Sequence, residues 1–446
     1  MVCAASQLAR LGFFGALRNA RVVWDGEDQR VHYNAGDTAW VLASAALVLF
    51  MTPGLAFFYG GMVRRKNVLG MLMQNYVAIG IVGVLWVWIA YSLAFGVDWG
   101  GFGLIGTLHF AGLAHASQHV PGYKGASAQT VPPLAFVIFQ MMFAIITPAL
   151  ITGSTADRLK FSAFVVFVVL WSLFVYAPVA HWVFSPTGWL HKLGAEDFAG
   201  GIVVHVNAGV AALGLAAVLG RRKGWPKEQM PPHNVPFILL GTGMLWFGWF
   251  GFNAGSALGA NVLAAHAFIN TNTAAAVAML CWLGVEKLKG GKATTLGAAS
   301  GAIAGLATIT PASGYVNLLG ATIIGIAAGT LCALAVGIKF RFRLDDSLDV
   351  GAVHLVGGVI GSLAVGLFGT SAIGGADGLF YGGGWSLLAD QAVAVLAVGA
   401  FSLVVTVLIA MAIKKVMGLR VSEDQELEGL DTSQHAETAY ELGGIG

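Results

Sequence analysis

Eleven apolar runs decide the solvent of this chain before any motif is read. They fall at about 38–59, 69–95, 131–153, 161–184, 200–219, 235–257, 262–286, 294–310, 315–338, 348–369 and 388–413. A helix crossing a hydrocarbon core of about 30 Å needs about 20 apolar residues. Charged residues make up only 10% of the sequence and hydrophobic ones 57%, whereas soluble chains carry about 25% charged residues. The runs therefore read as membrane spans, and the pattern predicts an all-α polytopic membrane protein with eleven transmembrane helices. The run at 294–310 is the shortest. Its Gly297, Gly301 and Gly305 repeat every fourth residue, the small-residue face of a helix packed tightly inside a bundle.

Basic residues orient the spans, because cytoplasmic loops are enriched in Lys and Arg. The connections after spans 1, 3, 5, 7 and 9, together with the final tail, hold 18 of the 24 Lys and Arg residues, among them Arg64–Lys66, Arg221–Lys223 and Lys339. Connections after the even spans hold only Lys124 and Lys192. The chain is thus expected to start outside and end in the cytoplasm. Three segments follow: an N-terminal segment over 1–36, a transmembrane domain over 37–416 and a cytoplasmic tail over 417–446. The first 36 residues lack a clean apolar region with a small-residue cleavage site, so a secretory signal is not expected there. No function is placed on them.

Inside span 5, DFAGGIVVHVNAG (197–209) carries His205 in an otherwise apolar, glycine-rich run. Span 10 opens similarly with DVGAVHLVGG (349–358), which carries His354. In each, an aspartate at one membrane edge precedes the histidine. Spans 5 and 10 close two consecutive five-span sets, and an odd number of spans threads the second set in the opposite direction. Such inverted repeats place substrate sites near the midplane, where the halves meet. A lone histidine here would read as a satisfied core residue, but two at corresponding positions read as a pair lining a pore. Phe143 in FQMMF (139–143) and Phe252 in GWFGFNAGSA (248–257) both lie a turn or more inside their spans, and Ser256 sets a hydroxyl near the outer end of span 6.

These stretches, with FFYGGMVRRKN (57–67), GAASGAIAGLATITPASGY (297–315) and GLRVSEDQELEGLD (418–431), make the chain resemble the ammonium transporter/methylammonium permease/Rhesus family. It looks most like the bacterial ammonium transporters. The resemblance covers about residues 38–440. It implies an inner (plasma) membrane transporter, not an enzyme, that uses no cofactor. It further implies a homotrimer with one narrow pore per subunit. Carried over by motif, Ser256, Phe143 and Phe184 form an outer ammonium site, with Asp197 beneath it as support. Phe143 and Phe252 stack as a gate, and His205 with His354 is the family's twin-histidine pair. Thr310 matches a position below the outer vestibule. The tail is implied to pack on the cytoplasmic face and to be blocked by a PII-type signalling protein, whereas composition alone reads it as a solvated acidic segment. One departure stands out. AHWVFSPTGWL (180–190) places Phe184 where the family commonly has tryptophan, and phenylalanine attracts cations less strongly. Trp189 is the nearby ring that could compensate.

The chemistry agrees with the resemblance. Ammonium loses hydration worth many kcal/mol on entering apolar surroundings, and neutral ammonia does not. Aromatic faces attract the cation by about 0.5–2 kcal/mol each, and a hydroxyl accepts its N–H. An imidazole donates through one nitrogen and accepts through the other, so the pair suits proton handling and titrates as a unit. Two other classes of function remain in view. One is an ammonium sensor signalling through its tail, although only about 30 residues follow the last span. The other is a Rhesus-like neutral gas channel. GFGLIG (101–106) matches G-x-G-x-x-G without a preceding strand and is set aside. His109, His115 and His119 read as loop residues, not a metal site, and net charge near +2 gives no argument for nucleic acid.

Overall fold

The computed structural model describes residues 33–115, 117–123 and 130–440. The expectation for the N-terminal segment therefore lies, up to residue 32, outside the described residues, as does Lys124. Helices form the described chain. In order they are α1 (Ala35–Met62), α2 (Arg65–Phe95), α3 (Pro133–Thr155), α4 (Phe161–Leu193), α5 (Gly201–Leu219), α6 (Val235–Gly255) and α7 (Val262–Leu288). Then come α8 (Thr295–Ile309), α9 (Leu318–Phe342), α10 (Gly351–Phe368) and α11 (Ser386–Met417). Two short helices, α12 (Glu423–Glu428) and α13 (Leu430–His435), form the tail. Ten of the eleven are long and apolar enough to cross a membrane; α8 is the shorter apolar helix. The eleven predicted runs match these helices.

Caps start many of them. The side chains of Asn34, Asn234, Asn261, Thr294 and Asn317 each accept the backbone N–H three residues on, opening α1, α6, α7, α8 and α9. Such caps satisfy one of the orphan donors at a helix start. The two five-helix sets then meet through small residues. Where α1 crosses α6, a Cβ on Gly241 would lie 2.3 Å from the Phe58 nitrogen, and one on Gly248 would lie 2.2 Å from Met51 Cγ. Only glycine permits so close an approach. The halves also share an irregularity. Single π-helical turns interrupt α4 at Ser172–Tyr176 and α9 at Ala328–Cys332, and others open α5 and α10.

Connections after α1, α3, α5 and α9 converge with the tail on one face, called here the tail face. Arg64 pairs with Asp157 at 3.0 Å, Arg222 with Asp345 at 2.8 Å, and Arg158, fully buried, donates to the Asp345 carbonyl at 2.7 Å. Some of the orienting cations are thus bonded inside the protein. Burial works to raise the Asp345 carboxyl, but the Arg222 hydrogen bonds and the Arg158 charge outweigh it and hold it below its ordinary value. The acidic tail is docked in part: Glu423, Asp424 and Glu428 are exposed, but other acidic residues are bonded. Glu426 accepts the Lys223 N–H at 2.7 Å, Val421 N–H donates to the Arg158 carbonyl, and Asp431 accepts Gly70 N–H at 2.8 Å. Glu426 and Asp431 are buried. Composition alone therefore misread Glu426 and Asp431, because it counts charges and not their partners.

Candidate functional site

His205 and His354 meet where α5 and α10 cross. Each lies in a π-helical turn, Gly201–Val206 and Gly351–Leu355, a distortion that recurs at functional sites. An aspartate eight residues before each histidine holds the turn. Asp197 accepts the N–H groups of Gly200, Gly201, Ile202 and Val203 at 2.6–3.0 Å, using both oxygens. Asp346 accepts those of Val350 and Gly351 at 3.1 and 2.7 Å, and the Ser154 hydroxyl at 2.6 Å. Pairing Asp197 with Asp349, as the two sequence stretches suggest, is corrected here: Asp346 is the counterpart, and Asp349 lies between that cap and the turn.

A glycine follows each histidine by four residues, and both sit at the crossing. A Cβ on Gly209 would lie 2.5 Å from the Leu355 nitrogen, and one on Gly358 would lie 2.9 Å from the Gly201 oxygen. The missing side chains let the two backbones close until the histidine Nδ1 atoms are 3.2 Å apart, with rings 5.2 Å between centroids and inclined by 15°. Both rings are buried. A hydrogen bond between two Nδ1 atoms needs a proton on one and a lone pair on the other. In the neutral pair, one Nε2 is therefore an acceptor and the other a donor. His205 Nε2 is buried without a hydrogen-bond partner, in a cavity bordered by both histidines with Leu55, Leu150, Trp249 and Phe252.

Phe252, which borders this cavity, belongs to a cluster of aromatic rings. Phe143 and Phe252 stack at 4.3 Å between centroids, inclined by 34°, and both are buried. Phe184 meets Phe143 edge-on at 6.5 Å. Ser256 follows α6, and its hydroxyl donates to the Phe252 carbonyl at 2.8 Å. Its proton is thereby committed, and its lone pairs are left to accept. The structure thus brings Phe143, Phe184, Phe252 and Ser256 into one cluster, joined through Phe252 to the cavity that the histidines border, and Asp197 caps the backbone that carries His205. Trp189 does not join the phenylalanines: its ring partner is Trp182, at 5.7 Å.

Sequence reasoning missed Trp249. Its ring stacks on His205 at 5.5 Å and 22°, and its Nε1 donates to the Thr310 hydroxyl at 2.9 Å. The signal was the spacing of Trp249 and Phe252, three residues apart and so on one face of α6. Beyond His354, towards the tail face, a second cavity is bordered by Tyr59, Trp282, Ser300 and Asp349. His354 borders both cavities. In the opposite-face loop, His109 stacks on His115 at 4.6 Å and binds Gln118 at 3.0 Å.

Ten long apolar helices and one shorter one, packed about a buried imidazole pair that borders two cavities, define an integral, multi-pass membrane protein. The chain belongs to the Ammonium Transporter Family, whose profile matches residues 39–440. An ammonium transporter of Mycobacterium tuberculosis is 52% identical over 435 residues, covering 92% of this chain and 91% of that one. An ammonium transporter of Bacillus subtilis is 47% identical, with 91% and 98% covered. Among solved structures, Candida albicans Mep2 superimposes with a TM-score of 0.82 at 35% identity over 89% of each chain. A protein described as "Sensor Amt Protein" reaches 0.81 at 31% identity, over 90% of this chain and 98% of that one.

Proposed function

We propose that this protein carries ammonium, and methylammonium in its place, from outside the cell to the cytoplasm, with the tail face cytoplasmic. Phe143, Phe184 and Ser256 recruit the cation at the outer mouth, Asp197 holding the backbone beneath them. The stacked Phe143 and Phe252 separate it from the lumen. The proton then leaves, ammonia crosses the apolar cavity, and His205 with His354 passes the proton alongside. The observation that carries this reading is the 3.2 Å Nδ1–Nδ1 contact in an otherwise apolar cavity. A chain of nitrogens that each donate and accept can relay a proton where a bare cation cannot go. Potassium has no proton to release, so it is attracted and then stopped. Replacing both histidines with apolar residues tests this: loss of ammonium selectivity over potassium supports the relay, and selectivity left intact removes it.

The same proposal extends to assembly and control. The chain works as a homotrimer in the plasma membrane, and its tail over 417–446 is the surface at which a PII-type protein would act. The docking of Asp431 on Gly70 and of Glu426 on the Lys223 N–H favours a tail that responds to the transmembrane domain over 37–416. A second reading, an ammonium sensor, is favoured by the likeness to the "Sensor Amt Protein" and by that docked tail. It uses the same outer site and differs in lacking a saturable current.

A further inference from the structure

The residue five positions before each histidine has left-handed backbone: Gly200 at φ 106° and Asp349 at φ 61°. Glycine adopts this conformation freely, whereas a residue with a Cβ is strained there, aspartate less than most. One half of the repeat uses the unstrained residue and the other keeps a carboxylate. Capping does not explain it, because Asp346 caps the α10 turn. The Asp349 side chain instead borders the tail-side cavity next to His354, among Tyr59, Trp282 and Val353. Its Oδ1 lies 2.7 Å from Lys339 Nζ, and the side chain is 30% exposed. Lys339 also donates to the Asp346 carbonyl at 3.1 Å, which fixes it to one side of the carboxylate.

We propose that Asp349 is a cation site at the tail-side end of the lumen, where its carboxylate binds the ammonium ion re-formed after passage. This rests on the reading that ammonia crosses the histidine pair unprotonated. The lone pair of ammonia takes the proton from Nε2–H of a His354 imidazolium. The ring returns to its neutral form, and the product is an ammonium ion in a largely apolar cavity. Asp349 compensates that charge through Oδ2 while Lys339 holds Oδ1. The Lys339 charge also keeps the carboxylate from trapping the ion, since conduction needs binding favourable enough to enter and weak enough to leave.

Purified Asp349→Gly, Asp349→Asn and the double variant Asp349→Gly/Lys339→Gln are reconstituted in proteoliposomes and given ammonium jumps. Glycine suits the φ of this position, so Asp349→Gly is expected to melt no lower than the parent. The proposal predicts that both single variants lose maximal current about tenfold or more, in line with removal of a group that stabilises developing charge. Half-saturating ammonium stays unchanged, because recruitment occurs at the opposite mouth. The double variant remains low. Parent-level current in Asp349→Gly or Asp349→Asn overturns the proposal. So does a double variant restored to the parent current, which would make Asp349 only a partner for Lys339. A parent protein without ammonium current overturns the underlying transport reading and this proposal together, and it is told apart because the failure appears without any substitution.

Discussion

Gly209→Ala adds one methyl group at the point where α5 and α10 touch. The new Cβ would sit 2.5 Å from the Leu355 nitrogen and 2.7 Å from its Cβ, whereas ordinary contact begins near 3.4 Å. The neighbouring backbone must therefore retreat by about 0.9 Å, and Leu355 is the residue next to His354. A shift of that size takes the Nδ1–Nδ1 distance from 3.2 Å to about 4 Å, beyond hydrogen-bond range. Overpacking costs about 1–3 kcal/mol, partly offset by the gain of up to about 1 kcal/mol when alanine replaces glycine in a helix. The variant is expected to stay folded while its ammonium current falls. Gly243→Ala is the control, since nothing lies within 4 Å of its Cβ position; it should transport normally. Proteoliposome currents and melting temperatures for both variants check this. A Gly209→Ala protein with parental current and selectivity would refute the claim that the glycine sets the histidine contact.

Three further outcomes are expected. Phe184→Trp strengthens cation–π attraction beside Phe143 and should lower half-saturating ammonium about three- to tenfold; an unchanged value removes Phe184 from the outer site. Asp197→Ala strands four buried N–H groups, each worth about 1–3 kcal/mol when left unpaired. Its melting temperature should drop steeply, with Asp197→Asn in between, and equal melting of all three would sink the capping role. Glu196 sits in the loop before α5, where burial, partly offset by the Ala376 N–H, raises its carboxyl from 4.5 to about 7. A folded-state value above the unfolded one means stability that is full below about pH 4.5 and lost as pH rises through about 7. Melting temperature should fall over that window, and Glu196→Gln should flatten the fall; identical slopes would contradict it.

The spans were legible because membrane crossing imposes one length on every helix. The histidine pair was legible for a different reason, since a repeat makes two residues at matching positions predict each other. What stayed hidden was local geometry. A π turn leaves no compositional mark, so the widening that carries His205 and His354 could not be read. Asp349 looked like the partner of Asp197 because it stands first in its motif; equal spacing from the histidines, eight residues in each half, would have picked Asp346. Gly209 and Gly358 were lost among 62 glycines, although their matching offset from the histidines singles them out. Trp189 looked available to replace the missing tryptophan, but its contact with Trp182 was invisible without the fold.

The central claim is that protons and ammonia pass together through a histidine-lined lumen. It is tested most directly by the current evoked by an ammonium jump on proteoliposomes, with a potassium jump as control and a pH-based assay of ammonia flux beside it. The account predicts a saturable ammonium current and no potassium response. Ammonia flux without current would contradict the relay and favour a neutral gas channel, and silence in both assays would contradict transport itself and bring the sensor reading forward.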